Sequence, residues 1–201
     1  MAAPQGESLR GVRPYPTLDG ACPSALALDI DGTLTMADER VVYNLVHTAR
    51  SYGAHVAINT ARPPLYCLEP DPITTRLATK ADHQCYTGKS WWFRNMVCDV
   101  PASKVANMET IAARGNVPSR RCCVLVDDRR ENIEAVDAAG FTGFYVDYKR
   151  GIRRHDARNI LDILRNCALE AGQTAPGAPQ GPQLPPAPPA KPDPFKLKAS
   201  K

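Results

Sequence analysis

Short unbroken apolar runs alternate along this chain with segments whose apolar residues recur every three or four positions. Unbroken runs suit strands buried on both faces, and the three-to-four spacing suits helices with one buried stripe. Ser24–Ile30 reads as the first strand. Asp38–Gly53 follows as a helix, with Val41, Val42, Leu45, Val46 and Ala49 inward and Gly53 where a C-terminal glycine belongs. Ala54–Asn59 is the second strand, and Pro63-Pro64 breaks the chain soon after it. Pro70 and Pro72 forbid a long helix in the next segment, leaving a short one over Ile73–Ala81. A further strand falls in Gln84–Thr87 or in Met96–Val100, and the pattern does not choose between them. Ser103 is a plausible N-cap for a helix over Lys104–Arg114, with Val105, Met108, Ile111 and Ala112 on one face and Gly115 after it. Cys122–Val126 is a strand, Glu131–Ala139 a helix ended by Gly140, and Phe141–Asp147 another strand. Asp156–Ala168 closes the pattern as a helix with Ile160, Leu161, Leu164 and Cys167 inward. Strands and helices in alternation predict an α/β fold: a Rossmann-like three-layer α/β/α sandwich around a mainly parallel sheet, with right-handed crossovers.

Composition bounds this picture. The chain has 201 residues, 43% of them hydrophobic, which suits one domain with tails. We expect a loose leader over residues 1–20, a folded domain over 21–170, and a disordered tail over 171–201, where nine of 31 residues are proline. No run reaches the roughly 18 apolar residues of a membrane span, and the first twenty residues lack the apolar core of a secretory signal. A cytoplasmic protein is the expectation, with organelle targeting left open. The formal charge of +4 belongs mostly to the tail, where Lys191, Lys196, Lys198 and Lys201 face Asp193 alone. A near-neutral body carries no general electrostatic footprint for nucleic acid. The seven cysteines show no CxxC spacing, so neither a zinc site nor a disulfide framework follows; they read as small buried hydrophobes in a reducing compartment.

Candidate chemistry gathers at the ends of the predicted strands, the edge at which open parallel sheets bind ligands. Asp29 and Asp31 follow the first strand, Thr60 and Arg62 the second, and Asp127-Asp128 a later one. Buried carboxylates are costly unless they are paired or hold a metal. Lys104 stands at a helix start 23 residues before Asp127. The pieces DIDGT, INTAR, ASKVANMETI and VLVDDRRENIEAV occur in that order. Together they resemble the motifs of the haloacid-dehalogenase (HAD) superfamily, and most closely its minimal-cap, magnesium-dependent phosphatases.

That resemblance implies roles residue by residue. Asp29 would attack phosphorus to give an aspartyl-phosphate. Asp31 would protonate the leaving oxygen and then deprotonate the attacking water. Thr60 would donate to a phosphoryl oxygen, Lys104 would offset its charge, and Arg62 is a candidate substrate contact. Mg²⁺ would sit on the Asp29 carboxylate, the Asp31 backbone carbonyl and the Asp127-Asp128 pair. Asp128 is favoured as the direct ligand, and Asn132 is a candidate support for that loop. Lys89 competes with Lys104 for the lysine role.

Only a few residues separate Thr35 from the following helix, which excludes a large cap there. The substrate class is left open between a small phosphomonoester, a phosphoprotein and a polynucleotide end. Residues 65–100, with Arg76, Lys80, His83 and Lys89, are the natural home of specificity. Trp91, Trp92 and Phe93 form an aromatic cluster that suits packing over a sheet edge better than stacking on substrate. Two other readings compete: a phosphate-accepting receiver, whose acidic pair would come first rather than last, and a catalytically weak binding module whose tail engages a partner.

Overall fold

Register and alternation set the fold, seen in a computed structural model that describes residues 21–63, 72–78, 82–86 and 99–172. The strands are β1 (Ala25–Leu28), β2 (His55–Asn59), β3 (His83–Gln84), β4 (Cys123–Asp127) and β5 (Thr142–Tyr145). The helices are α1 (Glu39–Ser51), α2 (Pro72–Leu77), α3 (Val100–Gly115), α4 (Arg130–Ala138) and α5 (Arg154–Glu170). All strand pairs are parallel and the order is β3-β2-β1-β4-β5. This is the expected Rossmann-like α/β arrangement, with helices on both faces of the sheet. The strand order reverses between β1 and β4, the topological switch point at which such sheets bind ligands.

The strands sort their side chains by alternation. Leu26, Leu28, Val56, Ile58, Val124 and Val126 join α1 and α5 in one apolar cluster with Leu45, Ile160 and Leu164. Ala25, Ala27, Ala57, Cys123 and Leu125 face the other way, against Met108 and Ile111 of α3 and Val136 of α4. Fully burying each Leu, Ile or Val stabilises by about 1.5–3 kcal/mol, so the first cluster carries much of the core. All five predicted inward positions of α1 are buried, while Leu161 of α5 and Val105 and Ala112 of α3 are only half-buried.

Several boundaries differ from the pattern's expectation. Asp99, not Ser103, caps α3: its carboxylate accepts from the Ala102 backbone N–H at 3.0 Å. A proline at the start of that helix needs no hydrogen-bond partner, so the helix begins four residues earlier than its apolar stripe suggests. Ser103 is buried inside it. The described strand of the ambiguous region is β3, at His83–Gln84, and Val100 belongs to α3. Cys122 and Cys167 are not free thiols: a disulfide joins them across 45 residues, with their Cα atoms 5.7 Å apart. Cys122 ends a tight turn before β4 and faces α5, while neighbouring Cys123 faces the α3 side as a free buried thiol. Cys85 is disulfide-bonded as well. No helix among the described residues is long and apolar enough to cross a membrane. The leader, the Pro-rich tail beyond 172, Lys80, Lys89 and the cluster Trp91, Trp92 and Phe93 lie outside the described residues.

Candidate active site

Three neighbouring strands end at one level. Leu28 registers with Ile58 on one side and Val126 on the other, so the next residues, Asp29, Asn59 and Asp127, stand side by side. They continue the phase of Ala27, Ala57 and Leu125 in their strands and therefore share the face covered by α3. Alanines at those positions let α3 approach closely, and Lys104 in its first turns is 1% exposed.

The Lys104 ammonium donates to Asp29 Oδ1 at 2.7 Å and to the Asn59 carbonyl at 2.6 Å, and forms an ion pair with Asp127 Oδ2 at 2.8 Å. Two hydrogen bonds and two carboxylate partners give this buried cation the pairing that makes its burial tolerable. Asp127 is fully engaged. Besides its ion pair with Lys104 it accepts from Asn132 Nδ2, at 3.0 Å to each oxygen, and from the Arg129 backbone N–H at 2.9 Å. Asp127 is thus an anchor, and Asp128 is the half-buried member of the pair that faces the site. Carboxylate oxygens of Asp29, Asp127 and Asp128 all lie within 4.8 Å of one another. One lysine cannot neutralise three carboxylates. Burial, opposed by the Lys104 charge, pushes the Asp29 carboxyl up to about 6. Burial and the neighbouring Asp127 charge raise that of Asp128 too.

The turn after β1 brings Asp128 close. Gly32 has φ +74°, and a Cβ there would collide with Asp128 Oδ2. Only glycine both adopts that backbone and leaves the carboxylate its space. The turn is closed by the Gly32 N–H donating to Thr35 Oγ1 at 3.0 Å and by the Thr35 N–H donating to the Ile30 carbonyl. Inside it the buried Thr33 Oγ1 has no hydrogen-bond partner among the described residues.

Asp31 takes a different place. Its carboxylate lies outside the acidic cluster and is gripped by Arg62, whose Nε and Nη2 donate at 2.8 and 2.5 Å. Those bonds hold the Asp31 carboxyl below the usual range. Of Asp31, the backbone carbonyl rather than the side chain is left as a candidate metal contact. Thr60 is buried at the end of β2, where its Oγ1 accepts from the Arg62 backbone N–H at 3.3 Å. Arg76, by contrast, pairs with Glu39 and Tyr43 between α2 and α1, and His83 is buried in β3.

No family model matches the chain, and no curated protein matches it. Among solved structures, an uncharacterized protein from Corynebacterium glutamicum ATCC 13032 Kitasato is similar to it. The two share 22% identity over 70% of this chain and 93% of that one, at a TM-score of 0.47.

Two residues of the site were not singled out from the sequence. Asn59 donates from Nδ2 to the Lys104 carbonyl at 3.0 Å while its own carbonyl holds the Lys104 ammonium. Asn107, one turn beyond Lys104, donates to Asn59 Oδ1 at 2.9 Å and to the Cys85 carbonyl at 3.1 Å. The available signal was a polar residue on an apolar face: Asn59 in phase with Ala57, and Asn107 beside Met108 on the buried stripe of α3.

Proposed function

We propose that this protein is a magnesium-dependent phosphomonoester hydrolase working through an aspartyl-phosphate on Asp29. The carrying observation is the lysine-centred carboxylate cluster: Asp29 and Asp127 share one buried ammonium, with Asp128 beside them, at the switch point of a parallel sheet. The order of motifs around it is the one that resembles the haloacid-dehalogenase phosphatases.

The donor set fits the ion. Asp29 and Asp128 offer hard oxygen ligands, the cluster has negative charge in excess of Lys104, and the missing Cβ at Gly32 keeps room for the Asp128 carboxylate. When bound there, Mg²⁺ supplies charge neutralisation between an anionic nucleophile and an anionic ester. The remaining chemistry belongs to the chain. Lys104 orients the Asp29 carboxylate and keeps it ionised against its burial. A carboxylate oxygen of Asp29 forms a bond to phosphorus as the ester P–O bond breaks, and the departing oxygen takes a proton from Asp31. Water then attacks phosphorus, giving its proton to Asp31; the Asp29–phosphorus bond breaks and inorganic phosphate leaves. Thr33 and Thr60 are hydroxyl donors for phosphoryl oxygens.

Arg62 has two duties in this scheme. It holds Asp31 as a carboxylate in the substrate-free site, and the same contact would favour the base form that takes a proton from water at the aspartyl-phosphate stage. For Asp31 to act as an acid, the guanidinium must leave it and the carboxylate must take up a proton from solvent; the incoming phosphate is the natural competing anion, because it accepts the same forked pair of donors.

The test is hydrolysis of p-nitrophenyl phosphate with and without Mg²⁺. Turnover should require the ion, and Asp29→Asn should lower kcat by about 10³-fold or more. Asp31→Asn should cost about 10²–10⁴-fold. Undiminished turnover by Asp29→Asn would remove the proposed nucleophile. Absence of turnover on a panel of phosphate esters would favour the binding-module reading.

A further inference from the structure

The near-neutral charge of the folded body conceals an uneven distribution. After β4 and β5, at the edge of the sheet that carries the carboxylate cluster, the chain supplies Arg130, Lys149, Arg150 and Arg154. All four are exposed, and none has a carboxylate partner within 4 Å among the described residues. Many other exposed arginines are paired, Arg76 with Glu39, Arg120 with Glu109, Arg121 with Glu170 and Arg165 with Asp162, and the exposed Arg40 and Arg158, which have no ion pair among the described residues, stand singly on α1 and α5. Aromatic and apolar surface collects in the same place. Met36 is 50%, Tyr145 38% and Tyr148 55% exposed. The Arg130 guanidinium lies 4.4 Å from the centre of the Tyr145 ring, and the Lys149 ammonium 5.5 Å from that of Tyr148.

This rim is continuous with the site. Tyr145 registers opposite Asp127 on the neighbouring strand. Arg130 opens α4 two residues after Asp128. Gly151, at φ +57°, lies so close to the turn after Asp31 that a Cβ would meet the Thr33 carbonyl at 2.5 Å and the Ala37 N at 2.6 Å. The Tyr148–Gly151 loop is therefore packed on the loop that carries Asp31, Thr33 and Met36. Only Thr35–Asp38 separates that turn from α1, so nothing in this connection covers the rim.

We propose that the rim binds a single-stranded polynucleotide whose terminal phosphomonoester enters the Asp29 site; this rests on the phosphatase reading. Water would split the terminal ester, giving inorganic phosphate and a strand ending in a hydroxyl. A small phosphate ester has no use for cations beyond the reaction centre. A lone phosphorylated side chain is met by an arginine cluster converging on one phosphate. Here the cations are spread over a helix start and a loop, with tyrosine faces between them. Backbone-tracking charge interleaved with stacking surface is the physical signature of single-strand binding.

The test compares substrates across variants that leave the carboxylate cluster intact. Oligonucleotides of about 12 nucleotides, DNA and RNA, carrying a 3′- or a 5′-phosphate, should be hydrolysed with higher kcat/KM than p-nitrophenyl phosphate. Lys149→Ala/Arg150→Ala and Tyr148→Ala should each lower kcat/KM on the preferred oligonucleotide by about tenfold, with p-nitrophenyl phosphate turnover unchanged. The double variant should also flatten the dependence of log kcat/KM on log salt by about 1.4, as two lost single-strand phosphate contacts require. Equal loss on both substrates, or on neither, would overturn the proposal, as would preferential loss on a phosphopeptide. Should no ester be hydrolysed, the phosphatase reading fails by itself. Fluorescence anisotropy of the same oligonucleotides then decides the rim: binding weakened by these variants supports it, and absent or unaltered binding overturns it.

Discussion

The two faces of the sheet come from the same strands and differ in what they bury. Towards α1 and α5 lie Leu26, Leu28, Val56, Ile58, Val124 and Val126, branched side chains that fill space. Towards α3 and α4 lie Ala25, Ala27 and Ala57, with Asp29, Asn59 and Asp127 at the last position of that phase. Small residues bring α3 near, and Lys104 uses the gap to place a cation among the carboxylates. The difference teaches a division of labour. One face holds the fold by volume, and the other devotes its closest packing to a charged cluster whose negative side is in excess.

That division can be broken first at its cation. Lys104→Met leaves buried carboxylates without their partner, and removing one member of a buried ion pair costs about 3–5 kcal/mol. Urea unfolding at neutral pH should show that loss, together with loss of turnover. A Lys104→Met protein as stable as the parent would mean that charge does not hold the α3 face.

The apolar face should respond differently. Leu45→Ala, in α1, should cost about 2–5 kcal/mol by the same unfolding measurement. The protein that remains folded should keep its KM and kcat, since Leu45 belongs to the apolar cluster and lies away from the carboxylates. A change in KM would show that the faces are coupled.

Asn107→Ala sits between these cases. It removes one donor from Asn59 Oδ1 and from the Cys85 carbonyl, a loss of about 1–3 kcal/mol. Because Asn59 also holds the Lys104 ammonium, kcat should fall more than KM rises, and Asn107→Asp should not restore it. Unchanged kcat would make Asn107 a packing residue alone.

The smallest expected effect lies at the far end of the α3 face, at His55. Burial lowers its pKa from 6.5, against the pull of Asp82, whose Oδ1 is 3.5 Å away. The folded protein therefore resists protonating His55. Its contribution to stability is present above pH 6.5 and is lost as pH falls through the lowered folded value. Unfolding free energy measured from pH 7 to 5 should fall less steeply in His55→Gln than in the parent; equal slopes would contradict this.

Much of this architecture is legible in the chain itself. Apolar runs locate β1, β2 and β4, because strands buried on both faces cannot hide their composition, and the aromatic FTGFYVD run locates β5 although it is a half-buried edge strand. The stripe of Val41, Val42, Leu45, Val46 and Ala49 locates α1 for the same reason. Motif order also picks out Asp29, Lys104 and Asp127-Asp128, which the fold brings together at one sheet edge. What the pattern misses depends on contacts distant in sequence. The Cys122–Cys167 disulfide joins elements 45 residues apart. The grip of Arg62 on Asp31 turns on the path of the Gly32 turn, which sends the second carboxylate away from the first despite their spacing of two. Asn59 and Asn107 act through main-chain carbonyls, which every sequence possesses and none advertises.

The most direct measurement is to find the phosphoryl group on the chain. Protein turning over p-nitrophenyl phosphate in Mg²⁺ is quenched with borohydride, which reduces an aspartyl-phosphate, and is then mapped by mass spectrometry. Reduction at Asp29 alone, dependent on substrate, is the expected result. Modification at another residue, or none at Asp29 under conditions that trap a known aspartyl-phosphate, would contradict a nucleophilic role for the first carboxylate after β1.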